Sequence, residues 1–340
     1  MQQNIMQFLD EHELLHFMSE PTDEVRSEVE SLDGEILVLG AGGKMGPTLC
    51  NMLVRAGAKS VIAASRFTDI DQQKYLEACG VKTIKTDLLN PKDFNALPNC
   101  PYIYNLVGYK FGATGNEDLM WAMNAWLPGL IVQHFSKSRI IYVSSGNVYE
   151  YTSIKSPGSE VMSPLSPIGE YAQSRLAGER LSMYWSEKGK TPLTVVRLFY
   201  ATELRYGIIH DIAWRIFHEE QIDLSMGYFN QIWQGDANAY LCRLFPFCSV
   251  SGSVINLTGP EILSTRIIAN QISSIMGKAP KFINTESEDA LLGDATFLFK
   301  SMGRPYVSSE KIVQWVADWV SNDGKTLGKP TKFESRSGRF

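Results

Sequence analysis

The first chemistry legible in this chain of 340 residues lies in one short turn, Gly40-Ala-Gly-Gly43-Lys44-Met45-Gly46. The turn follows the apolar run Glu35-Ile-Leu-Val-Leu39 and opens a helical stretch over Thr48–Ala56. In that setting glycines let the chain turn tightly and bring its backbone close to a phosphate. The helix N-terminus beyond them presents free N–H groups and the positive end of its dipole. The turn therefore reads as a cradle for a dinucleotide pyrophosphate. Lys44 either neutralises that group or lies in solvent.

The end of the second strand bears on which nucleotide. Sheets of this kind that take NAD carry a carboxylate there for the ribose hydroxyls. Here the strand ends Ala63-Ala-Ser65-Arg66. Ser65 can hydrogen-bond a 2′-phosphate, and Arg66 can pair with it and stack on adenine. The expectation is NADP(H) in preference to NAD(H); a solvated loop charge is the other reading of Arg66. After the third strand, Asp87-Leu88 offers a carboxylate to the adenine amine or, equally, a turn or cap.

The elements that must position these residues alternate. Strands are expected at Glu35–Leu39, Ser60–Ala64, Lys82–Lys85, Tyr102–Val107, Arg139–Val143 and Leu193–Leu198. Helices are expected at Thr48–Ala56, Leu119–Phe135 and Tyr171–Lys188. Such alternation predicts an α/β fold, a Rossmann-type doubly wound parallel sheet covered on both faces. Past residue 199 the pattern loosens, with a strand at Ser253–Leu257 and helices at Ser264–Met276 and Ser309–Val320. The division that follows is an N-terminal helical arm over 1–34, a nucleotide-binding domain over 35–200, a smaller C-terminal α/β substrate region over 201–324, partly interleaved with the sheet, and a polar tail over 325–340. In the arm, Met6, Phe8, Leu9, Leu14, Leu15, Phe17 and Met18 recur at roughly helical spacing, for packing on the domain or on a neighbouring subunit.

Composition narrows the function. A net charge of −5 gives no footprint for nucleic acid or an anionic membrane. The five cysteines are scattered without C-x-x-C spacing, and the histidines show no zincin pattern, so no metal is expected. There is no G-x-S-x-G nucleophile motif. The N-terminus does not read as a signal peptide, and no apolar run is long enough to span a bilayer, so a cytoplasmic protein is expected.

With these residues in view, the chain resembles the extended short-chain dehydrogenase/reductase family, the NAD(P)-dependent epimerase/dehydratase group, over roughly residues 35 to 320. The resemblance rests on Gly40, Gly43 and Gly46, on Asp87-Leu88, Asn105-Leu-Val107-Gly108 and Asn124, on Val143-Ser-Ser145-Gly-Asn147-Val-Tyr149, and on Tyr171-Ala-Gln-Ser-Arg175 and Arg197-Leu-Phe199. It implies hydride transfer at the nicotinamide, with Tyr171 as acid/base and Ser145 polarising the substrate oxygen. It also implies that Asn124 helps hold the proton path. A phenol with a pKa near ~10 needs nearby positive charge to ionise at neutral pH. The family's lysine, four residues after the tyrosine, supplies that charge and binds the nicotinamide ribose; here the position is Arg175. Arginine keeps the charge but cannot release a proton. The resemblance further implies a homodimer through the helices at Leu119–Phe135 and Tyr171–Lys188.

Three departures bear on the reaction. Gly146-Asn147 stands where the family's 4,6-dehydratases carry Asp-Glu, so no acid or base is available there to eliminate water. Tyr200 replaces an asparagine of the nucleotide-sugar epimerases. Their diphosphate-gripping arginine has no counterpart in Asn230-Gln-Ile-Trp233-Gln-Gly-Asp236, although Arg205 can hold one anion. The expected substrate residues are Asn147, Tyr149, Tyr200, Arg205 and Trp233, suited to a small carbohydrate-like alcohol or ketone; for Trp233, core packing is the favoured alternative to stacking on a substrate. Lys110, after the fourth strand, either approaches cofactor or substrate or is an exposed loop lysine. The alternatives are a nucleotide-sugar epimerase and a non-catalytic NADP(H)-binding sensor.

Overall fold

The computed structural model describes residues 10–110, 112 and 115–338; Met6, Phe8 and Leu9 of the arm lie outside them. The sheet-forming strands are β1 (Ile36–Leu39), β2 (Val61–Ser65), β3 (Lys82–Lys85), β4 (Tyr102–Asn105) and β5 (Arg139–Ser145). After a short β6 (Thr152–Ser153) come β7 (Leu193–Leu198), β8 (Tyr200–Thr202), β9 (Gln221–Asp223), β10 (Tyr228–Phe229), β11 (Gln231–Trp233) and β12 (Ser253–Leu257). Seven of these form one parallel sheet in the order β12-β7-β5-β4-β1-β2-β3. β1 thus lies between β2 and β4, and the winding reverses direction there. In open α/β sheets that reversal leaves a crevice at the carboxyl ends of the strands.

Helices cover both faces. On one side α2 (Asp23–Glu30), α3 (Gly46–Arg55), α4 (Ile70–Ala78) and α10 (Gln234–Cys242) bury Val25, Leu49, Leu53, Leu76 and Leu241 against Ile36, Val38 and Ala63. On the other, α5 (Pro91–Asn95) and α7 (Leu127–His134) bury Phe94, Leu127 and Ile131 against Leu37, Leu39 and Ile103. The expected helix over Leu119–Phe135 is interrupted. It runs as α6 (Glu117–Trp121), one π-helical turn over Ala122–Trp126, and then α7, with Pro128 in its first turn. The longest helix, α8 (Gly169–Gly189), backs onto the π turn so closely that a Cβ at Gly178 would lie 2.1 Å from the Asn124 carbonyl.

The C-terminal region has its own core, built by α9 (Ile208–Phe217), α11 (Thr265–Met276) and α13 (Ser309–Ser321), with β12 lent back to the sheet. The N-terminal arm divides between the two cores. Leu14 and Met18 of α1 (Glu11–Met18) are fully buried in the C-terminal core, whereas Val25 and Val29 of α2 pack under the sheet. The tail folds back: Thr331 donates to Asp211 on α9 through both its N–H and its hydroxyl, and Phe333 is buried. No described helix is long and apolar enough to cross a membrane. Because α1 fills core volume, Leu14→Ala should destabilise the protein by about 2–5 kcal/mol, read as a lowered denaturant midpoint; an unchanged midpoint would make the arm a surface appendage.

Candidate active site

The glycine turn sits at the β1 end of the crevice. Gly40 has φ +78°, and a Cβ on it would lie 3.0 Å from the Val107 nitrogen in the loop after β4. At Gly46 a Cβ would fall 2.1 Å from the Ala41 carbonyl oxygen. Both glycines are thus required by close backbone approach, while a Cβ at Gly43 would meet only the Gly40 carbonyl oxygen, at 3.2 Å. Met45 precedes α3 and no side chain caps that helix, so its first N–H groups face the turn. A backbone cradle opening on an uncapped helix N-terminus fits a pyrophosphate. From behind, α10 braces it: Gln234 Nε2 and Asn238 Nδ2 donate to the Thr48 hydroxyl at 3.0 and 2.9 Å.

At the end of β2, Ser65 stands against the turn, and a Cβ at Gly42 would lie 2.7 Å from its hydroxyl. Arg66 is exposed. After β3, Asp87 is exposed but its carboxylate accepts from the Leu89 N–H at 3.0 Å, an Asx turn, while Leu88 is buried.

The residues expected to act on substrate come from β5 and α8. Ser145 ends β5; its hydroxyl donates to Asn147 Oδ1 at 2.9 Å and accepts the Asn147 N–H at 3.2 Å. Tyr171, half-buried, is in the first turn of α8, with the Lys110 ammonium 5.5 Å from its ring centre. Asn124 lies fully buried in the π turn, a local widening often found at functional sites. Its side chain accepts from the Tyr109 N–H at 2.8 Å, and donates to the Tyr109 carbonyl at 2.9 Å and to the Ser174 hydroxyl at 3.2 Å. That side chain therefore clamps the loop after β4.

Arg175 departs from the expected ribose contact. Only 3% exposed, it donates from Nη1 to the Val107 carbonyl at 2.9 Å and from Nη2 to the Val143 carbonyl. Its guanidinium lies 5.2 Å from the Tyr142 ring centre. Gly108 lets it pass, since a Cβ there would be 3.0 Å from Nη1. The physical reason is that carbonyls leaving the ends of strands need donors, and arginine brings five where lysine brings three.

Three expected substrate residues are corrected. Trp233 is 2% exposed and packs edge-on against Trp315, with Phe17 beside it, so it belongs to the C-terminal core. Arg205 is buried and paired with Glu203 at 3.0 Å and with Glu11 of α1, so its charge is already neutralised. Tyr149 is buried; its hydroxyl donates to Asn256 at 2.7 Å and accepts from Arg197 at 2.8 Å. Lys44, expected near phosphate, instead donates to the Ala201 carbonyl at 2.5 Å and lies 4.4 Å from the Tyr206 ring centre. Burial pulls its ammonium down to about 7, with Glu203 opposing and Arg205 adding to the shift. Tyr200 is half-buried next to this group, and burial pushes both its phenol and that of Tyr206 up.

Sequence reasoning missed the buried polar network under the site. Arg197 on β7 donates to Glu179 on α8 at 2.8 Å, the Ser144 hydroxyl donates to Glu179 at 2.6 Å, and Asn256 on β12 donates to the Ser159 and Asp294 carbonyls. A signal was present: Glu179 follows Tyr171 by eight residues and Arg175 by four, on one helix face.

Residues 36–202, which carry six of the seven sheet strands with the glycine turn, Ser145 and Tyr171, match the model of the NAD dependent epimerase/dehydratase family. A curated relative, the 2-alkyl-3-oxoalkanoate reductase of Shewanella oneidensis, is 25% identical over 161 residues, 45% of this chain and 40% of that protein. The chain thus aligns with less than half the length of that relative. Among solved structures, UDP-glucuronic acid 4-epimerase from Bacillus cereus, in complex with UDP-glucuronic acid and NAD, is similar at TM-score 0.72 and 18% identity, over 85% of this chain and 99% of the other. The dTDP-glucose 4,6-dehydratase from Bacillus anthracis in complex with NAD is similar at TM-score 0.70 and 15% identity, over 85% and 97%. At these identities the structural likeness is one of fold.

Removing one member of the buried pair should be severe. Glu179→Ala leaves Arg197 without its counter-charge and should cost about 3–5 kcal/mol in urea unfolding. Glu179→Ala with Arg197→Met should recover part of that loss; a single variant with wild-type stability would show that the pair carries no structural weight.

Proposed function

We propose that the chain is an NADP(H)-linked oxidoreductase or epimerase acting on a small carbohydrate-like alcohol or ketone, sugar acids and hydroxy-carbonyl compounds included. The observation that carries this reading is the placement of Tyr171 and Ser145 at the same sheet edge as the glycine cradle. When bound, the nicotinamide supplies the hydride donor or acceptor. Tyr171 exchanges a proton with the substrate oxygen, and Ser145, oriented by Asn147, hydrogen-bonds that oxygen. Asn147 and Tyr200 flank the pair.

Several observations support the finer points. Ser65 at the cradle and exposed Arg66 beside it suit a 2′-phosphate. With Arg205 neutralised by two carboxylates, it is not free to grip a nucleotide diphosphate, which favours a smaller substrate over a nucleotide sugar. The names of the relatives, a reductase of an oxoalkanoate and a 4-epimerase of a sugar acid nucleotide, both concern a carbon that carries a hydroxyl or carbonyl oxygen. One observation favours the non-catalytic sensor as second reading: Arg175 is held by main-chain carbonyls.

Calorimetric titration with NADPH and NADH should show tighter NADPH binding, and Arg66→Ala should weaken NADPH alone by about 10- to 100-fold. Equal binding of both nucleotides would remove the NADP(H) preference, and binding of neither would remove the oxidoreductase reading. On a panel of polyols, sugar acids and hydroxyketones, Tyr171→Phe should abolish turnover while retaining NADPH binding. Turnover surviving in that variant would refute the acid/base role, and binding without turnover by the unmodified protein would favour the sensor.

We also propose a homodimer through the α7–α8 face, where Trp126, Leu181 and Tyr184 are exposed at 50%, 39% and 52%. Leu181→Arg should convert a dimer to a monomer in sedimentation velocity; a monomeric wild-type protein would refute the assembly.

A further inference from the structure

The family site needs a positive charge against its tyrosine, and in this chain the arginine at the expected position is turned away from that task. Arg175 spends Nη1 and Nη2 on the carbonyls of Val107 and Val143 and stacks over Tyr142. Asn124 spends its side-chain amide on both main-chain groups of Tyr109. Both residues therefore grip the same loop, at Val107 and at Tyr109, and the next residue is Lys110. Its ammonium stands 5.5 Å from the centre of the Tyr171 ring.

We propose that Lys110, presented by this gripped loop, is the positioning charge that favours the Tyr171 phenolate, taking over electrostatically what a lysine on α8 would do. The inference rests on the proposed acid/base role of Tyr171 and adds the residue that tunes it. Arg175 and Asn124 become the braces that hold the loop carrying Lys110.

The surroundings of Lys110 are consistent with a working charge. Burial pulls its ammonium down to about 8, so it remains mostly protonated at neutral pH. The groups facing it are Tyr171 on α8, Asp211 on α9, which raises the value, and Lys332 in the C-terminal segment, which lowers it. Asp211 is itself fixed by Thr331, whose N–H and hydroxyl donate to it at 2.7 and 2.6 Å.

The test reads Tyr171 directly in the full chain, without substrate. Protein labelled with 13C at tyrosine Cζ is titrated by NMR, and Tyr171 is assigned by the signal lost in Tyr171→Phe. In Lys110→Met the Tyr171 midpoint should rise by about one pH unit or more relative to wild type. Lys110→Arg, which keeps the charge, should leave it near the wild-type value. An unmoved midpoint in a folded Lys110→Met protein overturns the proposal, as does Lys110→Arg behaving like Lys110→Met. An unmoved midpoint with NADPH binding intact removes Lys110 alone. Failure of the unmodified protein to bind either nucleotide would remove the functional reading on which the proposal rests.

Discussion

Arg197 and Glu179 form a charge pair 4% and 1% exposed, with Nη2 and Oε2 at 2.8 Å. Taking both ions out of water costs several kcal/mol each, and only good geometry with further hydrogen bonds offsets that. The chain supplies those bonds. Ser144 donates to Glu179, and Arg197 reaches on to the Tyr149 hydroxyl and the Val161 carbonyl. Tyr149 continues to Asn256, and Asn256 to the carbonyls of Ser159 and Asp294. One network thus joins β5, β7, β12, α8 and the segments on either side of the site. Its members leave little freedom for α8 to rotate, and Tyr171 rides on that helix.

The second constraint is the crevice between β1 and β4. There the turn after β1 and the loop after β4 approach with backbone against backbone, at Gly40 and Val107. Behind the turn, α10 braces Thr48; behind the loop, Arg175 and Asn124 hold its carbonyls and N–H. Polar side chains from helices distant in sequence are spent on holding this turn and this loop. The π turn serves the same end, because its extra residue carries Asn124 under the loop. Arg175 suits this arrangement, since two carbonyls, those of Val107 and Val143, each take a donor from one of its nitrogens.

Much of the fold was legible because its signals are local. Runs rich in apolar residues such as Ile36–Leu39, closed by the glycine turn, and Leu193–Leu198, opened by Pro192, fall where strands are found. The glycine turn was legible because a close backbone approach forbids side chains. The helix over Leu119–Phe135 was legible in extent but not in its π turn, which answers to Asn124 and to α8 across the interface. The short pairings β8–β11 and β9 with Lys281–Ile283 were not seen at all, since three-residue strands carry too few alternations to show a period.

At the site, the sequence alone determined which residues are candidates: Gly40, Gly46, Ser145, Tyr171 and the Arg175 departure stand in an order that motif spacing records. Only the tertiary structure decided where their partners lie. Whether Arg205 meets an anion depended on Glu11, 194 positions away, and on Glu203. Whether Trp233 meets substrate depended on Trp315 and Phe17. Whether Arg175 meets the ribose depended on the carbonyls of Val107, in the loop after β4, and of Val143, within β5. Spacing along a chain encodes which groups share a helix face or a turn. The direction of a long charged side chain is chosen by the strongest partner within its reach, and that partner is brought there by packing.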